Sequence, residues 1–172
     1  MQRMTDPKGG FLGRMDGDGH IIDGAEKGAI LNSRILWTFA AAYRTLHKKE
    51  YLDTATRAYH EIRNRFTDKE YGGLFWSLDS ESRPKDTKKQ FYAIAFAVYG
   101  LAEYFRATGD TEALELAKSF YHNIEEHSYD PAGGGYIEAC TREWGVLEDM
   151  RLSDKDQKWL GLKDTFHFSS EK

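Results

Sequence analysis

The chain has 172 residues, and 24 Lys and Arg against 28 Asp and Glu give a formal net charge of −4, which argues against a nucleic-acid partner. A composition of 40% hydrophobic and 14% aromatic residues is that of a globular domain and excludes disorder for most of the chain. No apolar run reaches membrane-spanning length, residues 1–6 lack a signal-peptide core and the single cysteine, Cys140, excludes an internal disulfide, so a cytoplasmic protein with no membrane partner is expected.

In chain order, the first element is a turn-rich segment from Asp6 to Asp16 (DPKGGFLGRMD) in which Phe11, Gly13 and Met15 alternate as a short strand. Asp16-Gly17-Asp18-Gly19-His20 has the look of a calcium loop, but that pattern needs glycine at Ile21 and glutamate at Lys27; a hairpin turn is predicted instead, with no metal. Residues 27–49 then take up a 3.6-residue period, with Ile30, Leu31, Ile35, Phe39, Ala42 and Leu46 on one arc. Residues 50–66 follow with Leu52, Ala55, Tyr59, Ile62 and Phe66. The segment Asp68 to Asp79 (DKEYGGLFWSLD) repeats the first turn pattern, and helices over 87–107 and 110–126 repeat the pair. Thr108-Gly109-Asp110 links those two, glycine ending one helix and an acid capping the next. Asp130 to Arg142 (DPAGGGYIEACTR) opens a third unit.

The glycine pairs at Gly9-Gly10, Gly72-Gly73 and Gly134-Gly135 are spaced by 63 and 62 residues, so the chain is a repeat of hairpin, helix, helix. Stacked helix pairs of this kind make a toroid or solenoid, an all-α fold with short β-hairpins between repeats. Residues 142–172 show no sustained helical period and leave Leu160, Leu162, Phe166 and Phe168 as an apolar stretch without a visible partner.

Inside a toroid, polar residues early in the inner helices line the natural pocket. Arg34 stands out because its helical neighbours include Ile30, Leu31 and Trp37. It is either a structural ion-pair partner or a fixed cation for sugar oxygens or an oxyanion. The corresponding stretch of the next repeat holds Lys88, Lys89, Gln90 and Tyr92, for which solvated lysines and glutamine and a core tyrosine are the simple reading. His47 and His127 close helices, His20 sits in a turn, and His60 and His122 lie on outer helices, so structural roles are expected for them. No phosphate loop, nucleophile elbow or carboxylate pair of a glycosidase is present.

The run KGAILNSRILWTF from Lys27 to Phe39, with EYGGLFWSLD, KKQFYAIAFAVYGLAEY and RATGD in order after it, resembles the cellobiose 2-epimerase branch of the N-acylglucosamine 2-epimerase superfamily over residues 1–156. That resemblance implies part of an (α/α)6 barrel in residues 1–156, about two and a half repeats of a ring more than twice this length, followed by a divergent tail over 157–172. It implies an epimerase that needs no cofactor and takes a β-1,4-linked disaccharide such as cellobiose or mannobiose as its partner. The C2 proton of the open-chain sugar is removed and returned through an enediolate, with two histidines as acid and base. Arg34 matches the family's arginine for the charge on O1 and is the catalytic candidate. Arg34, Tyr92 and Gln90 are the substrate-binding candidates. Where the family carries an asparagine and a site histidine, Asp164 and Phe168 stand here, so the expectation is an inactive N-terminal fragment, with a change of reading frame after Asp156 as one origin. An aldose–ketose isomerase and a non-catalytic half-toroid that pairs with another chain are the alternative readings.

Overall fold

The computed structural model describes residues 2–130 and 135–147. A two-residue strand, β1 (Lys27–Gly28), leads into helix α1 (Ala29–Leu46). Helix α2 (Lys49–Glu61) follows and ends in a π-helical turn over Ile62–Phe66. After β2 (Ser77–Leu78) and β3 (Pro84–Asp86), the strand β4 (Lys89–Gln90) leads into α3 (Phe91–Thr108), and α4 (Thr111–His127) completes the second pair. Strands β5 (Tyr129–Asp130), β6 (Gly135–Tyr136) and β7 (Ala139–Cys140) belong to the third unit. The sequence boundary at 156/157, Phe168 and the apolar stretch from Leu160 lie outside the described residues.

The predicted helices are all present with shifted ends. Residues 27–28 and 89–90 are strand rather than first turn, so α1 and α3 start two and four residues later than their periodicity suggests. His47 adopts the left-handed conformation (φ 53°) and returns its amide to Tyr43, which stops α1 before Lys49. Gly109 does the same for α3, and the Asp110 carboxylate caps α4 by accepting from the Ala113 amide, as the sequence predicts. The alternating stretches expected as strands shrink to single bridges at Phe11, Met15 and Leu74 and to the two residues of β2.

Helix α1 packs on α2 and on α3, and α3 packs on α1 and α4, so α1 and α3 form the inner layer and α2 and α4 the outer one. The inner helices approach closely at Gly100, where a Cβ would stand 2.8 Å from the Ser33 carbonyl oxygen and 3.3 Å from Leu36 Cδ2. Leu36, Ile62, Phe66, Leu74, Leu78, Ile94, Leu101 and Phe120 fill the core, each apolar side chain contributing about 1.5–3 kcal/mol. Across it Tyr59 stacks on Tyr104 with ring centroids 4.8 Å apart. Leu31 and Ala95, placed on the buried arcs by periodicity, are exposed, and Ala29, Asn32, Ser33 and Leu36 take the buried side of α1 instead.

The joints between repeats are copies of one another. Lys27 pairs with Leu78 and Gly28 with Ser77; one repeat on, Lys89 pairs with Cys140 and Gln90 with Ala139. The first amide of each inner helix continues the ladder, Ala29 donating to the Trp76 carbonyl and Phe91 to that of Glu138, both at 3.1 Å. Each strand that feeds an inner helix therefore lies on the hairpin of the next repeat. The positions that flank the double-glycine segments are likewise equivalent, bridged as Thr5 with Phe11, Thr67 with Leu74 and Tyr129 with Tyr136.

Candidate functional site

Helices α1 and α3 leave one face uncovered by the rest of the described chain. Trp37 of α1 stacks on Tyr99 of α3 with centroids 5.0 Å apart and planes 13° from parallel, which shows that the two exposed stripes share a surface. Arg34 lies one turn before Trp37 and is exposed. Tyr92 lies two turns before Tyr99 and is 58% exposed, its ring edge-on to Phe96 at 4.9 Å. Tyr92, Ala95, Phe96 and Tyr99 line a shallow depression of about 460 Å³ on that surface.

The structural ion pair considered for Arg34 is not found, since its guanidinium has no hydrogen bond or ion pair among the described residues and stands beside Leu31, itself 43% exposed. Tyr92 is likewise on the surface and not in the core. Gln90 sits differently: its backbone belongs to β4, where it pairs with Ala139, and it occupies the N-cap of α3 without a side-chain capping bond. The matching of Arg34 with Tyr92 across repeats is also off by one turn. The offset that carries Lys27 onto Lys89 carries Arg34 onto Phe96 and Ile30 onto Tyr92, so the two share a surface but not a repeat position.

At the strands that enter the two inner helices lies an arrangement that periodicity missed. Lys89, read from sequence as part of a solvated face, is fully buried and donates to Asp68 Oδ2 at 2.9 Å and to the Gly72 carbonyl at 2.7 Å. Arg142 of the third unit grips the same carboxylate through Nε at 2.8 Å and Nη2 at 3.1 Å, and the ring of Trp144 lies 5.4 Å from the Lys89 ammonium. One repeat earlier Lys27 donates to Asp6 at 2.7 Å and to Ser82 Oγ at 2.9 Å. Burial opposes ionisation of Asp68, but the hydrogen bonds from Arg142, Lys89 and the Glu70 amide outweigh it and hold the carboxyl well below the usual carboxylate range. For Lys89 burial wins and lowers the ammonium below its ordinary value despite Asp68. The interval of 21 residues from Asp6 to Lys27 recurs from Asp68 to Lys89, and that recurrence was the signal available in the sequence.

The Asp16 to His20 segment is the predicted hairpin turn. A bridge joins Met15 to Ile21, and one Asp16 carboxylate oxygen accepts from the amides of Asp18 and His20. The described histidines lie off the inner helices: His47 caps α1, His60 and His122 lie on α2 and α4, and His127 ends α4 and stacks on Trp144 at 4.2 Å. Helices α1 and α3 contain none.

The sequence that builds this inner surface and its buried Lys–Asp pairs is matched over residues 10–154 by the family model of N-acylglucosamine 2-epimerase (GlcNAc 2-epimerase). The chain belongs to this family. Cellobiose 2-epimerase of Bacteroides fragilis is 54% identical over 157 residues, covering 91% of this chain and 40% of the relative. D-mannose isomerase of Marinomonas mediterranea is 25% identical over 146 residues, covering 85% of this chain and 36% of the relative. The structure of cellobiose 2-epimerase from Bacillus thermoamylovorans superposes with a TM-score of 0.85 at 39% identity, covering 90% of this chain and 40% of that one. The chain thus spans about 40% of the length of these cellobiose 2-epimerases, and its helix pairs are those of an (α/α)6 barrel. No helix of the described residues is long and apolar enough to cross a membrane.

Proposed function

We propose that this chain supplies one wall of the sugar site of an epimerase that interconverts the reducing-end glucose and mannose of β-1,4-linked disaccharides, cellobiose and mannobiose. The observation that carries the reading is Arg34, an unpaired guanidinium on the aromatic inner surface of a chain 54% identical to a cellobiose 2-epimerase. Removal of the C2 proton from the open-chain sugar sends its electron pair into the carbonyl and leaves negative charge on O1. A planar, permanently charged donor is suited to hold that charge. Tyr92 offers a hydroxyl and a ring face to the sugar. Gln90, at the mouth of α3, is the third contact. The Trp37–Tyr99 pair supports an apolar face of a pyranose ring. The described residues bind and stabilise charge, and no described histidine is placed to move the proton. The enediolate also leads to a ketose if the proton returns to C1. The resemblance to D-mannose isomerase keeps that aldose–ketose outcome as a second reading.

The experiment is exchange at C2 of cellobiose and mannobiose in heavy water, followed by proton NMR, with the protein carried to the length of its relatives. Loss of the C2 proton signal together with appearance of the C2 epimer supports epimerisation, and a ketose product supports the second reading. Absence of exchange on either disaccharide rejects both.

A further inference from the structure

Along the outer helix α2, its π-helical end and the first hairpin border an open groove of about 610 Å³. Its lining is mostly basic or proton-donating: Lys8 from the hairpin, Arg57, His60, Asn64 and Arg65 from α2 and its π turn, and Lys69 from the start of the second hairpin. In a chain of net charge −4 this is a concentration of the minority sign. The two carboxylates that reach the lining are already engaged elsewhere. Asp53 takes both of its bonds from Lys49 at 2.7 Å, and Glu61 accepts from Ser82 at 2.8 Å and lies 3.9 Å from Lys27. Arg57 is fixed by donating to the Asp6 carbonyl at 3.1 Å, while Arg65 and Lys69 have no ion pair or hydrogen bond among the described residues.

Two backbone features hold the groove open. The π-helical segment Ile62–Phe66 widens the end of α2 and keeps Ile62 and Phe66 buried while Asn64 and Arg65 face out. Such insertions recur at functional sites. Gly10, at φ 60°, brings the hairpin backbone so near α2 that a Cβ would stand 2.5 Å from Glu61 Cδ. The hairpin therefore forms a wall without filling the space, and its one cation in the lining, Lys8, is held by Glu81 at 2.6 Å.

The geometry points to a binding site for the phosphoryl group of a small phosphorylated molecule, with Arg65 and Lys69 as its principal ligands and Arg57, His60 and Asn64 as supporting donors. A dianionic phosphate offers several acceptors to the donors that line this one groove, and the groove exceeds what inorganic phosphate alone occupies, so a phosphorylated sugar is the ligand class it fits. This inference does not depend on the sugar chemistry of the inner surface.

Titration calorimetry on the 172-residue chain tests it with glucose 6-phosphate, inorganic phosphate and glucose as probes. Saturable binding of glucose 6-phosphate is expected, tighter than inorganic phosphate, absent for glucose, and surviving near-physiological chloride. The Arg65→Glu/Lys69→Glu variant should weaken it at least tenfold, about 1.4 kcal/mol. Both positions are exposed, and if the charge reversal disturbs folding, Arg65→Gln/Lys69→Gln should give the same loss in smaller measure. Tighter binding of inorganic phosphate than of glucose 6-phosphate would retain the phosphoryl site and overturn the sugar. No saturation with either phosphate, binding erased by chloride, or an unchanged affinity in the folded variant would overturn the site itself.

Discussion

Lys89 and Asp68 are a fully buried ion pair, 2.9 Å apart with side-chain exposures of 0% and 1%, that joins the second hairpin to the strand entering α3. Lys27 and Asp6 make the same connection ahead of α1. In both cases the segment of the following repeat closes the pair, through Ser82 over Lys27 and through Arg142 and Trp144 over Asp68 and Lys89. Each pair thus fixes where an inner helix begins, and with it the height of Arg34 or Tyr92 on the inner surface.

Removing one partner of such a pair leaves a buried charge without compensation, at a typical cost of about 3–5 kcal/mol. Asp68→Leu leaves the buried Lys89 ammonium without its carboxylate and is expected to lower folding stability by that order, measured by urea unfolding. Lys89→Met combined with Asp68→Leu should recover part of the loss, because no buried charge then remains. A single substitution that costs under about 1 kcal/mol would show that solvent reaches the pair.

The acid limb of stability follows from the same carboxylates. Asp6 and Asp68 have pKa values lowered by folding, so the stability they contribute is complete above the ordinary aspartate value of about 3.9 and is lost as pH falls through their lower folded values. Urea midpoints should therefore stay level from neutrality to about pH 5 and drop steeply below pH 4. Asp68→Asn should start from a lower midpoint and show a shallower acid slope. A slope equal to that of the unsubstituted chain would assign the acid sensitivity to other carboxylates.

Gly100 tests the contact between the inner helices. A methyl group there meets the Ser33 carbonyl at 2.8 Å, closer than real Cβ contacts come, and that oxygen belongs to the α1 backbone and cannot swing aside. Gly100→Ala ordinarily gains helix propensity, by up to about 1 kcal/mol. Here the clash should reverse the sign and cost about 1–3 kcal/mol. Thermal melts of the two chains decide between them, and a stabilised variant would mean that α1 and α3 can separate at little cost.

The repeat was legible because glycine pairs and a switch from alternating to helical period recur at fixed intervals, and the structure keeps those intervals in its strand pairings. The phase of the inner helices was less legible. Each has apolar residues on two faces, one against its neighbours and one on the inner surface, so Leu31 and Ala95 fell on the wrong arc. Lysine is almost always solvated. Periodicity therefore could not show that Lys27 and Lys89 are buried by partners 21 residues upstream; only the repeated interval could. Arg34 was singled out by its apolar helical neighbours, whereas Tyr92 was read as a core residue and drew interest through the family resemblance and a repeat equivalence with Arg34 that is wrong by a turn.

Arg34 separates a site residue from a scaffold residue. It is exposed and has no bonding partner among the described residues, so Arg34→Ala should change folding stability by no more than about 0.5 kcal/mol. If its guanidinium holds the charge that develops on O1, the same substitution in the protein at its relatives' length should lower turnover on cellobiose by about 10²-fold or more, as loss of one oxyanion donor does. Arg34→Lys keeps the charge but loses the planar fork, and should fall between the two. Because the charge forms only as the C2 proton leaves, the deficit belongs in kcat more than in KM. Steady-state rates with C2 exchange in heavy water, set beside urea unfolding of the same variants, measure both quantities. A variant that melts several degrees lower with its kcat intact would return Arg34 to the scaffold and leave the inner surface without its cation.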